Sequence, residues 1–122
     1  MISGRVNSEY EPIVCIVLCH ANGQTQTQNV IVDTGFDGWL SLPSTLISKL
    51  ELAWDRRGRA ILADGSESIF DIYKATVIWD DKLLEISVDE ADSDPLLGMS
   101  LMEGYELTVR VTDGGTVTLK KF

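Results

Sequence analysis

The chain has 122 residues and a formal net charge of -9, from 19 acidic against 10 basic side chains, with 44% apolar and 24% charged residues. That is one domain of ordinary globular composition, which excludes a disordered tail, a collagen-like chain and a coiled coil. So acidic a surface repels phosphate backbones, which argues against nucleic acid and anionic membrane as partners.

The N-terminus, Met1-Ile2-Ser3-Gly4-Arg5-Val6-Asn7, lacks the apolar core of a secretory signal. The longest apolar run, Ile13 to Cys19, falls far short of the roughly 20 residues of a membrane helix. It is β-branched and apolar on both faces, which predicts a buried strand. Asn22-Gly23 predicts a hairpin turn, and Thr25 to Val32 the return strand, polar at its start and apolar at Val30-Ile31-Val32. Asp33-Thr34-Gly35-Phe36-Asp37-Gly38 is a loop with two glycines, followed by a short strand, Trp39 to Leu42. Pro43 to Leu50 predicts a short helix, with proline in its first turn and Leu46, Ile47 and Leu50 on one face.

Arg59–Leu62 and Ser68–Phe70 flank Asp64-Gly65, a second tight hairpin signal. Asp71 to Trp79 predicts a strand, Asp80-Asp81-Lys82 a turn, and Leu83 to Val88 the return. Asp92-Ser93-Asp94-Pro95 breaks the pattern, and Leu96 to Met102 divides into a strand and one helical turn. Tyr105–Val111 and Thr116–Leu119 are strands around Asp113-Gly114-Gly115. Some eight short strands with one or two short helices predict an all-β barrel or sandwich, and the whole of residues 1–122 is expected to form a single domain. Two cysteines make a poor disulfide framework, so a soluble cytoplasmic protein with reduced thiols is expected.

Several features carry little chemistry. Cys15 and Cys19 share a strand face beside His20, but structural zinc wants four ligands at turn spacings, so buried thiols beside a hairpin histidine are expected. A single histidine excludes multi-His metal sites and argues against a Ser-His-Asp triad. Arg56-Arg57-Gly58-Arg59 reads as a solvated turn. Asp89-Glu90-Ala91-Asp92-Ser93-Asp94 lacks the glycine and terminal glutamate of an EF-hand loop and reads as a solvated surface loop. No metal and no cofactor are expected.

What remains is Val30-Ile31-Val32-Asp33-Thr34-Gly35, an apolar strand that delivers a carboxylate into a glycine turn. A lone buried aspartate costs free energy unless it is paired or hydrogen-bonded. Asp33 as a turn residue that ties down its own loop is one reading. Its context supplies another. The sequence resembles the retropepsin-like aspartic proteases, the single-lobe relatives of pepsin. Three features match in order over roughly residues 10 to 112: the apolar pair before Asp33-Thr34-Gly35, a hairpin with glycine at its tip from Ile61 to Phe70, and Leu96-Leu97-Gly98 before a short helix. The resemblance is to the bacterial, non-viral members, several of which carry Gly-Phe after the catalytic pair, whereas viral members usually have Ala or Ser at the place of Phe36.

The resemblance implies a single-lobe acid-protease barrel and aspartic endopeptidase activity. The family's chemistry needs two aspartates: one, ionised, takes a proton from water, and the other, protonated, polarises the scissile carbonyl. No second Asp-Ser/Thr-Gly exists here, so the resemblance implies a homodimer in which a second copy supplies the other Asp33. It makes Asp33, Thr34 and Gly35 the catalytic loop, with Thr34 reaching across to the partner and Gly35 giving the carboxylate a backbone amide. It puts Asp37 on the cleft wall and residues 63–66 in a lid, so Phe36, Asp37, Gly38, Ala63, Asp64 and Gly65 are the expected contacts to a peptide or protein substrate. Phe36, Trp39, Ile61 and Leu62 are expected to shape its pockets. Val117–Phe122 or Leu107–Val111 would pair in a dimer sheet. The rival function is a retropepsin-like dimerisation or peptide-binding module without turnover.

Overall fold

A computed structural model describes residues 1–122. Its elements in chain order are β1 (Ile2–Val6), β2 (Pro12–Cys19), β3 (Thr25–Val32), β4 (Leu40–Leu42), α1 (Ser44–Leu50), β5 (Ala53–Ile61), β6 (Glu67–Trp79), β7 (Lys82–Glu90), β8 (Leu96–Leu97), α2 (Met99–Met102), β9 (Tyr105–Val109) and β10 (Thr116–Lys121). The ten strands form one sheet in the order β5-β6-β7-β4-β8-β3-β2-β1-β10-β9, and a further pairing of β6 with β2 folds it back on itself. All-β architecture with two short helices is therefore what the sequence led one to expect.

The core follows from alternation. On β2, Val14, Ile16 and Leu18 point inward; on β3 Val30 and Val32 do, while the Thr and Gln residues before them stay in water. With Leu40, Leu97, Val117, Leu119 and others they make one cluster of 20 buried side chains. α1 starts after Pro43 and lays Ile47 and Leu50 on this cluster. At its far end Glu51 turns left-handed at φ 55°, and its N–H closes onto the carbonyls of Ile47 and Ser48.

The middle of the sheet is the part that matters for the site. β8 lies parallel to β3, with Ile31 opposite Leu96 and Val32 opposite Leu97. β4 runs antiparallel to β8 and parallel to β7. A segment from late in the chain is thus inserted between two early ones, directly behind the loop that follows β3.

Four expectations are corrected. β2 is not buried on both faces: Cys15 is exposed and Cys19 half-buried, because a strand shows alternate residues to opposite sides and positions 14, 16 and 18 take the inner one. His20 hydrogen-bonds Gln26 at 2.9 Å. Arg56-Arg57-Gly58-Arg59 is not a turn but the centre of β5, paired with Phe70 and its neighbours on β6; β5 is an edge strand, where charge is tolerated. Asp89 and Glu90 are not loop residues either; they end β7 and are half-buried. Finally, Ser68–Phe70 and Asp71–Trp79 are one continuous strand, and β1 is an additional one. Of the two segments expected to pair in a dimer sheet, β10 is flanked on both sides, by β1 and β9, whereas β9 leaves one edge open.

Candidate active site

β3 ends where its apolar face ends, and Asp33 is the first residue beyond it. Its N–H donates to the Leu97 carbonyl at 3.0 Å, so β8 fixes the height at which the chain leaves the sheet. Its Oδ1 accepts the Gly35 N–H at 2.9 Å. A side chain at Gly35 would bring a Cβ to 3.2 Å from that same oxygen. The carboxylate is therefore aimed by its own turn, and glycine keeps the approach open. Thr34 and Gly35 are exposed and Asp33 is half-buried.

The rest of the loop is clasped from behind. Gly98 N–H donates to the Trp39 carbonyl at 3.0 Å, Met99 N–H to Phe36 at 2.8 Å and Ser100 N–H to Gly38 at 3.1 Å, while the Ser100 hydroxyl donates to the Asp37 carbonyl at 2.5 Å. Two glycines make this contact possible. A Cβ at Gly98 would overlap the Gly38 carbonyl, and the Phe36 ring lies where Cβ atoms at Gly38 and Gly98 would stand, 2.6 and 2.8 Å from them. The apolar-apolar-Gly motif thus has a packing reason: any side chain at 98 would push the loop off α2.

In front of the loop lies a groove of about 830 Å³. Its floor is Asp33, Gly35, Phe36 and Asp37 with Ser41 and Leu96, Asp89 to Asp92 line one side, and the β5–β6 hairpin roofs it with Arg59 to Ile61 and Ser68 to Phe70. The cavity around His20 and Lys74 is smaller, about 300 Å³. Phe70 reaches the groove because its partner on β5 is Gly58; a Cβ there would stand 2.7 Å from the Phe70 ring.

Of the residues singled out in the sequence, Asp33, Gly35, Phe36, Asp37 and Ile61 line this groove. Thr34 and Gly38 belong to the same loop without lining it. Ala63, Asp64 and Gly65 form the exposed hairpin tip, beyond the lining residues, as does Leu62; Trp39 lines a separate cavity with Trp79 and Ser100. The tip is a closed turn: Leu62 N–H donates to Ser66 at 2.8 Å, Gly65 sits at φ 84°, and Asp64 accepts both the Ser66 N–H at 2.9 Å and its hydroxyl at 2.5 Å. These bonds from Ser66 hold the Asp64 carboxyl below its ordinary value. Ser41, Arg59, Phe70 and Asp89 were not read as site residues. The signal that finds them is strand register, which becomes visible only when β4, β6 and β7 are aligned.

Asp89 is half-buried where it lines the groove. Burial pushes its carboxyl up, Arg56 pulls it down, and the charge of Asp37 pushes it up again. No group of three or more His, Cys, Asp or Glu side chains is arranged to hold a metal ion. No helix is long and apolar enough to cross a membrane.

No protein-family model matches the sequence, and no curated protein matches it significantly. Solved structures do. A retropepsin-like aspartic protease from Rickettsia conorii superposes with a TM-score of 0.58 at 18% identity, over 99% of this chain and 90% of that one. The EIAV protease complexed with the inhibitor HBY-793 superposes with a TM-score of 0.54 at 19% identity, over 80% of this chain and 89% of that one. The chain has the retropepsin-like fold.

Proposed function

We propose that the chain is an aspartic endopeptidase that works as a homodimer, with Asp33 of each copy meeting across a two-fold axis. The observation that carries this is the Asp33 carboxylate, held by the Gly35 amide at 2.9 Å in a roofed groove, in a sequence with one such motif. The resemblance in fold to two aspartic proteases supports it.

The chemistry follows from two carboxylates close together. Both cannot ionise cheaply, so the pair holds one proton. The ionised member takes a proton from a water, whose oxygen attacks the peptide carbonyl carbon. The protonated member gives its proton to the carbonyl oxygen, forming a neutral gem-diol. A proton then passes to the amide nitrogen as the C–N bond breaks, releasing an amine and a carboxylic acid. Gly35 stabilises the ionised carboxylate through its N–H. Exposed Thr34 is placed to hydrogen-bond the partner's loop, and Asp37 to hold substrate backbone. The hairpin, residues 63–66 at its tip, lies over the substrate and excludes water.

Exposed apolar side chains beside the loop favour a second copy. Trp39 is 39% exposed, Met99 48% and, on the hairpin, Ile61 79%. Large apolar groups left in water around a half-site are what a partner covers. In this reading residues 1–122 act as one lobe, in the cytoplasm.

Wild-type protein and the Asp33→Asn variant, incubated with a peptide library, decide the matter. Wild type is expected to cleave, and the variant to lose about a thousandfold or more in kcat/KM while still dimerising. Equal cleavage by both removes Asp33 from the mechanism. A chain that stays monomeric at high concentration has no dyad. Peptide binding with no cleavage by wild type points to a binding module.

A further inference from the structure

We infer that Ser41, Asp89 and Asp37 form a subsite for a cationic side chain, lysine or arginine, of a peptide lying in the groove. The inference rests on the groove being the peptide site proposed above, and it names the class of peptide.

Ser41 is the starting point. It is 4% exposed, the one buried polar side chain of the molecule, and it lines the groove. Its hydroxyl makes no hydrogen bond within the chain. The one buried side-chain nitrogen or oxygen without a partner is the Trp79 indole nitrogen, so the unpartnered Ser41 hydroxyl is reached from the groove it lines. β4 and β7 run parallel with Ser41 directly beside Asp89, so both side chains rise from the same face. Asp89 likewise has no hydrogen bond and no ion pair within the chain. Its Oδ2 lies 3.4 Å from where a Gly38 Cβ would stand, so the missing side chain at 38 leaves that oxygen reachable.

The groove presents Asp33, Asp37, Asp89, Glu90 and Asp92 against one cation, Arg59. Arg59 pairs with Glu67 at 3.7 Å, and Arg56, the other cation near Asp89, pairs with Asp55. Asp89 itself forms no ion pair, and Arg56 acts on it only at a distance, against burial and the charge of Asp37. A lysine ammonium brings three donors and a positive charge, which suits two carboxylates and a hydroxyl oxygen. The Phe36 and Phe70 rings offer its methylene stem an apolar wall.

The test uses the Asp33→Asn variant, so that binding is read without turnover. Fluorescence anisotropy compares a library of labelled decapeptides carrying lysine at one scanned position with the same peptides carrying norleucine. At the best position the lysine peptide is expected to bind about tenfold tighter, and the ratio to fall to about one on adding Asp89→Asn, with the norleucine peptide unchanged. Ser41→Ala is expected to lower the ratio about threefold. Asp113→Asn, an acid on the far β9–β10 turn, controls for general attraction by an acidic protein and should leave the ratio alone. No lysine preference, a preference that survives Asp89→Asn, or an equal loss with Asp113→Asn overturns the subsite. Cleavage separates the two ideas. Wild type that binds lysine peptides through Asp89 without cutting them keeps the subsite and sinks the protease; cutting without charge preference does the reverse.

Discussion

The floor and the roof of the groove are built by opposite rules. The floor, Asp33 to Gly38, is fastened to β8 and α2 by four hydrogen bonds and by a ring seated across two glycines. The outer part of the roof, from Ile61 through Ser66, is exposed throughout and tied down by its own turn and by one surface ion pair, Arg59 with Glu67. Surface pairs of that kind contribute little. In the proposed dimer, where the Asp33 carboxylate would have to meet its twin closely, the first kind of support suits it, and a cover that would admit and release a peptide suits the second.

Glycine substitutions put that contrast to the test at its strongest. Gly98→Ala forces a Cβ into the Gly38 carbonyl and is expected to cost about 3 kcal/mol, read by urea denaturation. Gly65→Ala meets nothing within 4 Å and is strained only by its φ of 84°, so about 1 kcal/mol is expected from the same measurement. If the two cost the same, floor and roof are not differently built. A finer probe lies at the edge of the floor. The Asp89 carboxyl is raised by burial, so its folded-state value exceeds its unfolded one. The stability it allows is fully present below the ordinary aspartate value, about 3.9, and is lost as pH rises through the raised value. Asp89→Asn is therefore expected to melt about 1–3 °C higher than wild type near neutral pH and alike at pH 3. A variant that melts lower at neutral pH contradicts the direction of that effect.

How much of this was readable in the sequence depended on whether a segment announced its own environment. Thr25 to Val32 did: polar residues stop where the core begins, and the strand bounds come out as expected. Asp33-Thr34-Gly35 and Leu96-Leu97-Gly98 carried their places in the fold in short motifs. β1 did not, because its alternation of Ile2, Gly4 and Val6 inward against Ser3 and Arg5 is interrupted by glycine. The first half of β5 was hidden by its charges, which an edge strand keeps in water while hydrogen-bonding on one side only. Asp89 reads as one more surface acid in a run of acids. Only the pairing of Leu40 to Leu42 with Val88 to Glu90 turns it toward the groove, and no local pattern encodes that pairing.

The clasp behind the loop has a consequence for synthesis. Ser100 and Asp37, which share its shortest hydrogen bond, are 63 residues apart in sequence. A nascent chain that has left the ribosome only as far as Asp94 carries the aspartate but not the strand that sets its height, nor the turn of helix that anchors its loop. Contacts of such long range form late. The loop that carries Asp33 is thereby left without its anchor until Leu96 to Met102 have been translated and docked.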